Sequence, residues 1–183
     1  FPAEEVEWVR DVALNTQNKV IFFSHIPLTQ EFNAYNGNPA NGAELSAIIN
    51  AFIVAGGTVI GFFHGHTHWD YIGKKDTNSF CEVSTGASYT TTNYGPYKPE
   101  GAIVQARASG TLTEDLWDIL VVHPEKGTVK IIRFGAGNDR EVSFTIGENS
   151  NGDNGSYTLT DKDKNEIAAI VLQGFTDVSE VGR

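Results

Sequence analysis

The chain has 183 residues, 40% hydrophobic and 20% charged, with 11 Phe, 6 Tyr and 3 Trp, which is enough for one domain with a packed core and too apolar for a disordered segment. A formal net charge of −10 removes bulk electrostatic attraction to a nucleic-acid backbone or an anionic membrane, although metal ions can still supply local positive charge for phosphate chemistry. The one cysteine, Cys81, excludes an internal disulfide and a Cys-rich zinc ribbon.

The chain opens with Phe1-Pro2-Ala3-Glu4-Glu5, which reads as the first turn of a helix over residues 3–15, with Val6, Val9, Val12 and Ala13 as its apolar stripe and Trp8 widening it. Methionine is absent, so the chain reads as a fragment cut just before this helix. Lys19 to Ser24 predicts a short parallel strand buried on both faces. Residues 25–42, rich in Asn, Gly and Pro, predict a long loop that walls a site. The clearest helix is 43–55, where Leu45, Ile48, Ile49, Phe52 and Ile53 recur at helical spacing and Gly56-Gly57 terminates the run. Thr58 to Phe63 predicts a second buried strand. The apolar run 51–63 is too short and too interrupted by glycine to span a bilayer, so no membrane segment is expected.

Antiparallel strands are expected at 79–84, 101–107, 115–122 and 127–134, the last two joined by the hairpin His123-Pro124-Glu125-Lys126-Gly127, with a surface loop over 84–100. Segment 133–140 predicts a strand end with glycine turns and an Arg/Asp pair. The domain is expected to cover 1–146. Residues 147–157 follow as a flexible linker, and 158–183 as a tail helix with a capping box at Thr160–Asp163, which offers a route to oligomers.

The chemistry concentrates in the histidines. His25 directly follows the first strand, and His64, His66 and His68 follow the second. A strand–helix–strand unit places its strands parallel and adjacent, so both histidine stretches reach the carboxyl edge of the sheet, where ligand sites form. In an extended segment residues i and i+2 point the same way, so His66 and His68 present two imidazoles to one volume, while Gly65 favours a bend after His64. Imidazole is a common ligand for divalent transition metals, and a cluster of this kind at one sheet edge is poorly explained by core packing. Asp70 reads either as the acceptor of a ligand histidine's second ring N–H or as an ordinary loop-end aspartate.

Gly65-His66-Thr67-His68 resembles the G-H-x-H signature of the calcineurin-like metallophosphoesterases, and Ser24-His25-Ile26-Pro27-Leu28 resembles their preceding H-x-P segment. The resemblance covers roughly residues 3–146 and implies the C-terminal half of a four-layer α/β/β/α sandwich, an α/β fold with a mixed sheet. It also implies hydrolysis of a phosphomonoester or phosphodiester by two divalent metal ions (Mn, Fe, Zn or Ni) bridged by hydroxide. Carried over by residue, His25 and His66 hold one metal and His68 the other. Gly65, His64, Asp70, Ser88 and Tyr89 are the further candidates for supporting the ligands or lining the cleft. The family's D-x-H, G-D-x-x-D and G-N-H-D/E motifs do not occur in this chain. The chain is therefore expected to hold one metal or none by itself, to be inactive alone, and to take the upstream half of the domain and a phosphate ester as its partners. Two other readings stand beside this one. One is a mononuclear three-histidine zinc hydrolase using His25, His66 and His68. The other is a non-catalytic binding or assembly module, of a phage-associated kind, that keeps the shell of the fold.

Overall fold

The computed structural model describes residues 1–29, 39–73, 78–88, 102, 105–144 and, as backbone, 155–156. The expected opening helix forms in two pieces. Helix α1 spans Ala3–Trp8 and continues as a π-helical turn over Val9–Ala13, closed by Leu14 N–H donating to Val9 O at 3.0 Å. The wider turn carries side chains out of the 3.6-residue register. Trp8 lies about 200° round the helix from Val6. Val6 is therefore buried, whereas Trp8 and Val12 are each 57% exposed, and the expected stripe is narrower than its apolar residues suggest.

Strand β1 (Val20–Ser24), helix α2 (Gly42–Val54) and strand β2 (Val59–His64) make the expected β-α-β unit, with β1 and β2 parallel and Ser24 opposite His64. Helix α2 buries Leu45 and Ile49 against the sheet and ends before Gly56, whose φ of 96° suits a residue without a side chain. Its first residue, Gly42, backs directly onto the loop after β1, since a Cβ there would sit 2.1 Å from Leu28 O. The same loop is tied to the sheet by Leu28 N–H donating to the buried carboxylate of Glu82 at 3.0 Å.

Two further strands complete the first sheet. Strand β4 (Glu82–Thr85) runs parallel to β2, and β3 (Asp70–Gly73) pairs antiparallel with β4, giving the order β1-β2-β4-β3. Within this sheet β1 is an edge strand, so Phe23 is 68% exposed, which corrects the expectation that the strand is buried on both faces. The second sheet is antiparallel: β5 (Leu116–His123), β6 (Thr128–Gly135) and β7 (Arg140–Ser143). The short strand β8 (Gly155–Ser156) pairs with β7, inside the stretch expected to be linker. The described residues of the expected strand 101–107, namely 102 and 105–107, do not join a sheet. The rest of the linker and the expected tail helix lie outside the described residues.

The chain is thus mixed α/β, with layers fixed by two apolar clusters. Val6, Leu28, Leu45, Ile49, Val59, Phe62 and Phe80 pack the helices onto one face of the first sheet. Ile60, Phe63, Ile72 and Val83 of the first sheet meet Val129, Ile131 and Val142 of the second. Among the described residues no helix is long and apolar enough to cross a membrane.

A buried group of four charges crosses the same interface. Arg133 on β6 donates to Asp70 at 2.8 Å and to Asp118 at 2.5 Å, and Arg140 on β7 donates to Asp118 at 2.9 Å and also to Asp70. Gln105 adds a hydrogen bond to Asp70 at 2.6 Å. The arginines of 133–140 pair across the two sheets, and Asp139 accepts the backbone N–H of Arg133 at 2.7 Å. Burial opposes the charge on both guanidinium groups. At Arg133 the hydrogen-bonded carboxylates of Asp118 and Asp70 outweigh burial and raise its pKa. At Arg140 burial, helped by the like charge of Arg133, brings the pKa down from its ordinary value. Removing one member leaves uncompensated charge in the interior. Replacement of Arg133 by Met is expected to cost about 3–5 kcal/mol, read as a shift in the urea midpoint. A loss below about 1 kcal/mol, the range of a solvated surface pair, contradicts this account.

Candidate metal centre

The two histidine stretches leave the sheet side by side. Because Ser24 is opposite His64, the next residues of each strand are neighbours, and Gly65 N–H donates to His25 O at 3.2 Å. The side chains then meet: His66 Nδ1 stands 3.2 Å from His25 Nε2, with ring centroids 5.1 Å apart and planes at 78°. Residues 41 positions apart in sequence are in direct contact.

Two nitrogens bound to one ion at about 2.0–2.1 Å stand roughly 2.9–3.4 Å apart for bond angles of about 90–110°. The observed separation falls inside that bite, so the pair fits a divalent cation as two cis ligands. Without an ion, one of the two nitrogens must carry a proton and donate it to the other, because two bare lone pairs at this distance repel.

The segment between β2 and β3 is not extended, which corrects the reason given above for His66 and His68 acting together. Both residues have left-handed backbones, φ 66° and 62°. The chain has to reverse within 65–69 to start the antiparallel β3, and Thr67 N–H donating to Gly65 O at 2.7 Å tightens that reversal. A left-handed conformation costs a residue with a Cβ on the order of 1–2 kcal/mol and persists only where the surroundings enforce it. His25 is exposed and His66 and His68 are half-exposed, while Thr67 and Trp69 between and after them are buried. His68 is close enough for its charge to depress the pKa of His66. It does not complete a site: among the described residues no three His, Cys, Asp or Glu side chains are placed to hold one ion.

The remaining candidates separate clearly. The pKa of His66 is lowered by partial burial first, then by His25 and His68, which keeps its imidazole neutral and available as a ligand near neutral pH. Buried His64 donates from Nδ1 to Gly65 O at 3.1 Å, and its Nε2 finds no hydrogen-bond partner among the described residues. It braces the backbone of the motif from inside. Asp70 does not back a histidine, since both of its oxygens are occupied by Arg133, Arg140 and Gln105. Gly65 and Ser88 line a cleft of about 320 Å³ between the two sheets, beside the histidine turn, together with Phe23, Leu116 and Trp117. Tyr89 lies outside the described residues.

Searches of family models, of curated proteins and of solved structures return no match to this chain.

Two residues beneath the turn escaped the reading of the sequence. Ser84 lies within β4 and has no motif around it, and Thr67 is merely the variable position of the G-H-x-H pattern. Only the alternation of buried Thr67 and Trp69 with the histidines could have pointed to a partner below.

Burial lowers the pKa of His64 to about 4. The unfolded chain binds that proton below about 6.5 and the folded chain does not until about 4, so between these values the unfolded state carries more protons and stability falls as pH falls. In the metal-free chain this contributes roughly 3 kcal/mol of acid destabilisation across the window. Urea midpoints of His64→Asn measured from pH 7 to pH 4 are expected to decline less steeply than those of the parent, and parallel declines would exclude His64 as the source.

Proposed function

We propose that this chain carries the histidine side of a two-metal phosphoesterase centre, with His25 and His66 on one ion and His68 on the other. The observation that carries the reading is the 3.2 Å approach of His25 Nε2 to His66 Nδ1 at the carboxyl ends of adjacent parallel strands. The left-handed backbone at both histidines of the turn adds to it, since such strain concentrates at functional sites.

When bound, two divalent cations supply a nucleophile at neutral pH and neutralise the phosphoryl oxygens. The residues of this chain do three things toward that end. His25 and His66 offer a preset pair of imidazole nitrogens. His68, on the same turn with a left-handed backbone, would hold the second ion. The cleft beside Gly65 and Ser88 leaves room for a substrate. Phosphomonoesters and phosphodiesters are the substrate class. The carboxylate and asparagine ligands are contributed by the upstream half of the domain, and this chain alone is inactive. The complete fold on this reading is a four-layer sandwich, whose second helix layer covers the outer face of β5–β7. There Trp117 is 53% exposed and stacks on Phe134 at 4.3 Å. A mononuclear three-histidine zinc centre is less favoured, because His68 does not join the bite of the other two among the described residues.

Titration of the 183-residue chain with Co2+, followed by visible absorption, is expected to give saturable binding, weakened at least about tenfold by His66→Ala. In a longer polypeptide that supplies D-x-H, G-D-x-x-D and G-N-H segments before Phe1, Mn2+-dependent hydrolysis of bis(4-nitrophenyl) phosphate is expected, and His66→Ala abolishes it. Co2+ binding that is indifferent to His66, or absent, overturns the proposal.

A further inference from the structure

A buried hydroxyl lies beneath the middle of the histidine turn. Ser84 Oγ is 2.6 Å from Trp69 O and 3.1 Å from Thr67 Oγ1, and both Ser84 and Thr67 are 1% exposed. A carbonyl oxygen only accepts, so the one hydroxyl proton of Ser84 goes to Trp69 O. The contact with Thr67 must then run the other way, with the Thr67 hydroxyl donating to Ser84 Oγ. The result is a directed chain, Thr67 to Ser84 to Trp69 O, in which each bond polarises the next.

The positions bound by this chain alternate with the ligands. Thr67 sits between His66 and His68, and Trp69 directly follows His68. Drawing 67 and 69 down onto β4 obliges 66 and 68 to turn outward, which is where the left-handed φ values of 66° and 62° occur. Ser84 is well placed for this because it pairs with His64 on one side and Tyr71 on the other, the strand residues that flank the turn. From one position it spans the whole reversal. Asp70, held by the arginines of the second sheet, fixes only the far end.

We infer that Ser84 is the positioning residue of the histidine turn: its hydroxyl, through Thr67 and Trp69, sets the backbone that aims His66 at His25 and holds His68 beside it. The consequence for metal affinity rests on the phosphoesterase reading, whereas the consequence for the histidine pair does not.

The test uses the full 183-residue chain and two variants, Ser84→Ala and Thr67→Val, the second nearly isosteric and lacking the hydroxyl. The first readout needs no metal. Long-range 15N–1H spectra of the imidazoles report the His25–His66 hydrogen bond. Both variants are expected to move these nitrogen shifts to those of separate, hydrated rings, while the amide signals of β2 and β6 keep their dispersion. The second readout is the Kd for Co2+, expected to rise about 10–100-fold, as for other residues that orient ligands. Thr67→Ser, which keeps the hydroxyl, is expected to retain both properties. If one variant does not fold, the other still decides. Unchanged imidazole shifts in a folded variant overturn the inference, as does a lowered melting temperature with the histidine pair intact, because the hydroxyl would then serve stability alone. A parent chain that shows the paired imidazoles but binds no Co2+ removes the metal reading and leaves the role of Ser84 standing.

Discussion

The structure depends on the salt-bridged group of Asp70, Asp118, Arg133 and Arg140. Apolar packing between two sheets resists separation but tolerates sliding, because dispersion and the hydrophobic effect have little directional preference. Four interlocked charges are directional. Arg133 reaches Asp70 and Asp118 at once, so β3 of the first sheet and β5 of the second share one guanidinium. Their mutual arrangement is set to within hydrogen-bonding tolerance. A buried ion pair is weak evidence for net stability, since desolvation offsets much of the attraction. Its stronger consequence here is register, and the position of Asp70 gives that register a use, because this residue ends the histidine turn.

The turn is then held at three places. Its start is fixed by the pairing of β1 and β2, its middle by Ser84, and its end by Asp70. That division explains how two left-handed non-glycine positions, separated by one residue, can persist. Each costs of order 1–2 kcal/mol, which a hydrogen bond to a buried group and a charge-assisted pair are each large enough to offset. The residues that maintain the conformation face inward, and those that bear it face solvent with their imidazoles. Rigid support beneath a partly exposed pair of imidazoles keeps their approach independent of any backbone rearrangement.

Much of this was legible in the sequence where the signal was periodic. The spacing of Leu45, Ile49 and Phe52 marked α2, and the apolar runs marked β1, β2, β5 and β6, because burial of one face imposes a period. From those elements the meeting of His25 and His66 follows by topology alone. The strands β3 and β7 were not legible. Asp70-Tyr71-Ile72-Gly73 and Arg140-Glu141-Val142-Ser143 carry charge at positions that read as surface, and the charge is tolerated only because the two segments neutralise each other across the sheets. Asp70 read as a neighbour of the histidines for the same reason: local sequence shows proximity along the chain, while the partner 63 positions away that claims its carboxylate leaves no local trace. Burial on both faces of β1 failed at Phe23 because an apolar strand sequence does not distinguish a central strand from an edge.

Charge accounting indicates what a metal centre built on this turn requires. Neutral histidines ligate but do not compensate charge, and two divalent ions in a partly buried site need carboxylates nearby. Among the described residues, the buried acids of the strands around the turn are already engaged. Asp70 and Asp118 are matched by the two arginines, and Glu82 accepts the backbone N–H of Leu28. Diverting any of them to a metal would strand a buried guanidinium or release the loop that carries His25. On the two-metal reading, compensating carboxylates are expected from the solvent side, where His25 is exposed and β1 has a free edge among the described strands. An arrangement in which the interior acids hold the scaffold and the incoming acids hold the ions keeps folding and metal binding separable, since losing the ions leaves the group of Asp70, Asp118, Arg133 and Arg140 still paired.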